Sequence, residues 1–303
     1  MKTLPESHIM KSAGSVVPRQ GKECASLHFT EILKVIFLGI VEGITEWLPI
    51  SSTGHMLLVD EFLQLAGREE FKEMFFVVIQ FGAILAVILL FFKKMWPFQT
   101  TQHGERPFYK QDIILTWLKV VVTCIPGVIA TLLFDDYIEA HFHTPVVIAA
   151  ALIFYGIGFL LVESRKRGQY VREIGFSDIS FRTAFLIGLF QVLSIIPGTS
   201  RSGSTIIGAL LLGVSRQAAA EYSFFLAAPV VFGLSAIKLL KFGFAFSTQE
   251  LVILLIGMIV AFAVSLLVIR FLMNYIKKHD FKLFGWYRIV LGALVLLYFF
   301  AIK

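Results

Sequence analysis

The chain has 303 residues, of which 57% are hydrophobic and 31 are Phe, with a mean hydropathy of +0.80; soluble domains carry roughly 45–50% apolar residues even with Gly counted. That composition excludes an ordinary soluble enzyme and describes a membrane protein. The formal net charge of +6 then reports orientation rather than nucleic-acid binding, because Lys and Arg of membrane proteins gather in cytoplasmic loops.

Residues 1–28 are polar and lack the apolar core of a cleaved signal, so they read as a disordered tail, with Met10 an alternative start. The rest, 29–303, reads as a single integral membrane domain. Six apolar runs, 74–92, 115–134, 146–162, 221–241, 251–272 and 285–302, approach the about 20 residues that a helix needs to cross roughly 30 Å of hydrocarbon.

Lys93, Lys94, Arg106 and Lys110 follow the first run, Arg165, Lys166, Arg167 and Arg172 the third, and Lys277, Lys278 and Lys282 the fifth. These loops are assigned to the cytoplasm. The stretch 135–145 has no Lys or Arg and fits the outer side, although Lys238 and Lys241 run against the bias; both termini then face outward. Its Asp135, Asp136, His141 and His143 have no metal-ligand spacing and read as a solvated outer loop. Cys24 and Cys124 form neither a metal-spaced pair nor a disulfide framework.

Two further apolar stretches, 31–65 and 182–213, are broken midway by WLPISSTGH and IIPGTSRSGST. A straight spanning helix does not carry Pro and Gly in this way. For the charge assignment to hold, each must enter and leave on one side, so both are expected to be re-entrant helical hairpins. The halves also match: Gly39, Glu42 and Thr45 correspond to Gly188, Gln191 and Ser194 at an offset of about 149 residues, and EMFF at 73–76 corresponds to EYSF at 221–224. The expected fold is an all-α polytopic membrane protein with six transmembrane helices and two hairpins. These form two inverted-topology repeats, about 29–163 and 182–303, which would bring the broken helices together near the midplane.

Glu42 and Glu46 are i and i+4 on one helix, so their carboxylates share a face. After the Pro49 break, Ser51 or Ser52 is placed to cap a new helix whose free N–H groups suit an anion, and Thr53 stands in the same turn. Ser52 and His55, three apart, have the spacing of a nucleophile and a proton-transfer partner. In the second break Gly198 permits close backbone approach, Thr199, Ser200, Ser202 and Thr205 offer hydroxyls, and Arg201 is a fixed cation. This set suits a phosphate. An intramembrane Arg is seldom kept without a partner, and a diphosphate or one of the two glutamates would serve.

The segment GTSRSGST departs from a nucleotide-binding P-loop by having Ser204 in place of its lysine, and it follows no strand. TGH and SR echo the phosphatidate-phosphatase type of membrane enzyme, but Ile207 stands where that type has its second histidine. GIVEGITEWLPISSTGH together with PGTSRSGST closely resembles the bacterial undecaprenyl-diphosphate phosphatase family, associated with bacitracin resistance, over essentially everything after residue 29. The resemblance implies a plasma-membrane enzyme, with its site accessible from the outer face, that hydrolyses undecaprenyl diphosphate to the monophosphate carrier of cell-wall synthesis. It carries functional roles onto Glu42, Glu46, Ser52, His55, Ser200, Arg201 and Thr205.

On this reading Arg201 and hairpin N–H groups hold the diphosphate, Ser52 or a water it positions attacks, and His55 and Glu46 manage protons. Glu42 and Glu46 are alternatively ligands of Mg²⁺ or Ca²⁺, or structural ion partners of Arg201, and the serines alternatively caps alone. The partners implied are the lipid substrate and the bilayer, with no nucleic acid, and a homodimer is left open. Broken helices in inverted repeats also describe a carrier, so a prenyl-phosphate flippase is the competing reading; a scaffold without catalysis ranks last.

Overall fold

The structure is a computed structural model that describes residues 29–98, 108–165, 174–243 and 245–301. The polar tail 1–28, and with it Met10 and Cys24, lies outside the described residues, as do Arg106, Lys166, Arg167 and Arg172. Among the described residues every element is a helix, and the only bridges are Phe98 to Tyr109 and Ile174 to Val214.

Six helices are long and apolar enough to cross a membrane: α3 (Glu69–Leu90), α5 (Gln111–Phe142), α6 (Pro145–Arg165), α9 (Arg216–Phe242), α10 (Thr248–Tyr275) and α11 (Lys282–Ala301). They coincide with the six apolar runs of the sequence, and the chain is a multi-pass membrane protein. Their exposed faces carry large apolar side chains such as Leu132, Leu133, Phe154 and Leu240, as suits a surface in contact with lipid. The stretch read as an outer loop from 135 is in fact helical, because α5 continues to Phe142.

The remaining helices are short. α1 (Phe29–Thr45) and α2 (Ser52–Phe62) flank the first break, α7 (Phe181–Val192) and α8 (Arg201–Leu211) the second, and α4 (Phe92–Met95) is one turn after α3. The start of α1 meets the end of α2: Lys34 Nζ donates to Gln64 O at 2.8 Å and Ala66 N to Glu31 Oε2 at 3.0 Å. The second pair repeats this, since Ser215 N donates to Ile174 O at 3.0 Å and Ile174 N to Gly213 O at 3.0 Å.

Ion pairs fix the level of the other helix ends. Lys94 pairs with Glu221 and Lys238 with Glu73, so α3 and α9 run antiparallel. Arg68 holds Glu250 at 2.9 Å, which puts the starts of α3 and α10 at one end of the bundle. At the other end Arg216 pairs with Glu163, and Glu163 also takes the N–H of Phe281 at 3.2 Å.

Packing across the halves is reciprocal. α1 lies on α10 while α7 lies on α5, and α3 packs on α9 and α6 on α11. Gly39 on α1 allows that approach, since a Cβ there would stand 2.9 Å from Gly257 O. Its counterpart Gly188 does so on α7, where a Cβ would stand 2.5 Å from Thr123 O.

Candidate active site

Each break ends in a serine that folds the chain back into a helix. Ser51 has φ 76° and caps α2 by accepting the N–H of Gly54 at 3.3 Å, and Ser200 has φ 73° and caps α8 by accepting that of Gly203 at 3.1 Å. Of the two serines proposed as the first cap, it is therefore Ser51 that caps. That leaves the Ser52 hydroxyl for other partners. Gly198, at φ 89°, has no room for a side chain, because a Cβ would stand 2.6 Å from Ile148 O.

The breaks meet at Glu46, which is 7% exposed. One carboxylate oxygen accepts Ser52 Oγ at 2.7 Å and the other accepts Arg201 Nη2 at 2.9 Å. Arg201 also donates to Ser223 O at 2.9 Å, and Thr205 Oγ1 lies 2.9 Å from Ser223 Oγ. Ser200 and Ser202 hydroxyls are 3.1 Å apart, and Ser202 reaches the Glu46 carbonyl at 3.5 Å. A hydroxyl, a carboxylate and a guanidinium in series have the geometry that a nucleophile, a base and an orienting cation require.

Glu42, one turn earlier, is wholly buried, and its two carboxylate oxygens have no hydrogen-bond partner among the described residues. A buried carboxylate without a donor is costly. Its environment therefore calls for a proton or a cation brought from outside the chain.

His55 does not pair with Ser52, as their spacing had suggested. Nδ1 lies 2.7 Å from Ser51 O, and Nε2 lies 2.7 Å from the Tyr287 hydroxyl, with the two rings parallel within 7°. A carbonyl only accepts, so Nδ1 carries hydrogen and, in the neutral ring, Nε2 accepts from Tyr287. Thr53 is exposed, whereas Thr199 is fully buried beside the second break.

Sequence reasoning missed Arg288. Its side chain on α11 is wholly buried and donates to Pro49 O at 3.1 Å and to Gly198 O and Thr199 O at 2.8 Å each. One guanidinium thus ties the backbone of both breaks, with Tyr155 at 5.7 Å covering it. The signal was present, since an Arg inside GWYRIVLGAL is as anomalous at membrane depth as Arg201. Tyr287, its neighbour, had no such signal.

The family model described as bacitracin resistance protein BacA matches residues 35–294. The chain belongs to that family. Every residue of the site, from Glu42 to Arg288, lies inside the matched region. An Enterococcus faecalis protein named undecaprenyl-diphosphatase is 65% identical over 272 residues, covering 90% of this chain and 98% of that protein. Proteins of the same name from Lachnoclostridium phytofermentans and Desulfitobacterium hafniense are 59% and 60% identical, covering 90% and 89% of this chain and 98% and 97% of theirs. Relatives in this family are thus spanned almost end to end.

Proposed function

We propose that the chain removes the terminal phosphate of undecaprenyl diphosphate, releasing undecaprenyl phosphate and inorganic phosphate, and thereby recycles the lipid carrier of cell-wall synthesis and confers bacitracin resistance. The observation that carries the chemistry is the Ser52, Glu46, Arg201 series at 2.7 and 2.9 Å. The relatives' common name is that of a phosphatase and not of a carrier.

In this reading Ser52 Oγ attacks the terminal phosphorus and Glu46 takes its proton. The bond to the bridging oxygen breaks, and undecaprenyl phosphate leaves with that oxygen. Water then cleaves the phosphoserine, releasing inorganic phosphate and restoring the hydroxyl. Arg201, the hydroxyls of Ser200, Ser202 and Thr205, and N–H groups at the starts of α2 and α8 bear the charge that builds on the phosphoryl oxygens; one such donor in a dry site is worth about 2.7–4 kcal/mol. His55, held in one tautomer, supplies the proton path on the other side of Ser51.

The residues fit a hard cation only jointly with substrate. Glu42 is an orphaned buried carboxylate, Glu46 is shared with Ser52 and Arg201, and among the described residues no cluster of three His, Cys, Asp or Glu side chains stands ready. Mg²⁺ and Ca²⁺ sites of this kind are completed by phosphate oxygens and water. Glu42 and Glu46 would hold the ion, which would neutralise charge on the diphosphate.

The hairpins are re-entrant and the halves inverted in this reading. The meeting of α1's start with α2's end, the matching contact at Ile174, and the reciprocal packing of α1 on α10 and α7 on α5 support it. The end of the bundle carrying Lys93, Lys94, Lys277 and Lys278 faces the cytoplasm, so the first hairpin opens the site to the outer side.

The test is phosphate release from undecaprenyl diphosphate by the purified chain in detergent, with and without EDTA. Turnover by wild type, lost in Arg201→Ala folded to equal extent, is expected, and loss in EDTA restored by Mg²⁺ or Ca²⁺ is expected for the cation. No release from folded wild type would sink the phosphatase reading.

A further inference from the structure

At the end of the bundle away from α2, four lysines surround one cavity. Lys93 and Lys94 come from α4, Lys110 from the residue before α5 and Lys119 from α5 itself, and they line a space of about 380 Å³ with Thr116 and Phe176. Among the described residues Asp112 is the one acid in its wall, and Lys94 pairs with Glu221 from α9. Among the described residues Lys93, Lys110 and Lys119 enter no ion pair; Lys119 reaches only the Ser177 carbonyl, at 3.5 Å. Like charges gathered in a concave wall repel one another, and an anion in the cavity would relieve that repulsion.

The depth and surroundings of the cavity define the anion further. Trp96, Phe92, Phe98 and Phe108 form an exposed aromatic cluster at the same end, with Trp96 stacked on Phe92 at 5.4 Å and Phe98 tilted against Phe108 at 5.3 Å. Such aromatics mark the headgroup level of a bilayer. Exposed Leu115 and Leu118 continue down α5 from the cavity, offering acyl chains an apolar wall. A basic pocket at headgroup depth with an apolar path below it is the form of a phospholipid headgroup site.

We infer that this cavity binds the phosphate of an anionic membrane lipid, at a site separate from the one between the two breaks. Its wall is also linked to that site: Glu221, the partner of Lys94, is two residues before Ser223, whose carbonyl holds Arg201. A lipid phosphate competing for Lys94 would loosen the start of α9 beneath the Arg201 contact.

The experiment uses the full chain in nanodiscs of phosphatidylcholine with or without phosphatidylglycerol, reading retained lipid by native mass spectrometry and turnover in parallel. Wild type is expected to retain phosphatidylglycerol over phosphatidylcholine, and Lys93→Gln with Lys110→Gln to lower that preference roughly tenfold, since a lysine near an anionic surface is worth several-fold in binding. Basal turnover in phosphatidylcholine should not change, because neither lysine touches the catalytic series. Lys277→Gln with Lys278→Gln, exposed at the same end but outside the cavity, should leave retention unchanged. An equal loss there would mean diffuse surface charge and overturn the site. If millimolar inorganic phosphate displaced the lipid as well as excess phosphatidylglycerol does, the cavity would be a soluble-anion site and the lipid assignment would fall.

Discussion

Ser51 and Ser200 stand 149 positions apart in the sequence and in the same conformation, with φ 76° and 73°, each accepting the N–H of the glycine three residues on. They are the two non-glycine residues with positive φ among those described. Each hydroxyl does what keeps a strained residue in place: it satisfies a helix-start N–H that the fold would otherwise leave bare.

That pairing of strain and cap sets an order of stability. Alanine at either position keeps the left-handed backbone and loses the cap, at about 0.5–2 kcal/mol for the cap alone. Glycine loses the cap but relieves a strain of about 1–2 kcal/mol. Thermal unfolding in detergent should therefore rank wild type and Ser200→Gly close together and Ser200→Ala clearly lower, with the same order at Ser51. Alanine above glycine at either position would refute the account.

Arg288 makes a different prediction, since its hydrogen bonds go to backbone carbonyls only. Arg288→Met leaves the carbonyls of Pro49, Gly198 and Thr199 buried and bare, and each costs about 1–3 kcal/mol. That variant should accumulate poorly. Arg288→Lys keeps the charge but cannot span both breaks with a single ammonium, so it should fold with a lower melting temperature and lose kcat far more than it raises KM. Unchanged kcat in a folded Arg288→Lys would show that the two breaks hold their relation without it.

The six spans were legible because hydropathy over about 20 residues is a strong signal, and the breaks because Pro and Gly interrupt it at WLPISSTGH and IIPGTSRSGST. Glu46, Ser52 and Arg201 were legible as polar residues out of place in an apolar chain. Which of them touch was not: Ser52 is six residues after Glu46 and three before His55, and only the turn at 46–51 decides that its hydroxyl goes to Glu46. Arg288 escaped because its partners are carbonyls contributed by segments 90 and 239 residues away. Helix α5 ran past its apolar stretch to Phe142 because helix length follows backbone hydrogen bonding, which polar residues also sustain.

The hydrogen bond from Ser52 to Glu46 predicts non-additive kinetics. Glu46→Gln should lower kcat by about 10²–10⁴, the span of a positioned proton acceptor, and Ser52→Ala by at least as much. Because the two act as one unit, the double variant should be scarcely worse than the single serine variant. Rapid acid quench of wild type with substrate labelled in the terminal phosphate should trap label on Ser52. Label absent from wild type, with residual turnover in Ser52→Ala, would assign the attack to water instead.

Tyr287 provides the sharpest test of how His55 is held. Tyr287→Phe removes the hydroxyl 2.7 Å from Nε2 while keeping the ring that stacks on the imidazole. Tyr287 is 44% exposed, so the loss of one half-exposed hydroxyl should cost little stability, on the order of 0.5–1.5 kcal/mol. If His55 moves protons, releasing Nε2 alters its proton affinity, while Nδ1 stays fixed on Ser51 O. The expected result is a fall in kcat of about tenfold, a displaced pH profile, and no further effect of Tyr287→Phe once His55 is alanine. A purely structural histidine would instead give an unshifted pH profile and a change confined to melting temperature, and that outcome would remove His55 from the proton path.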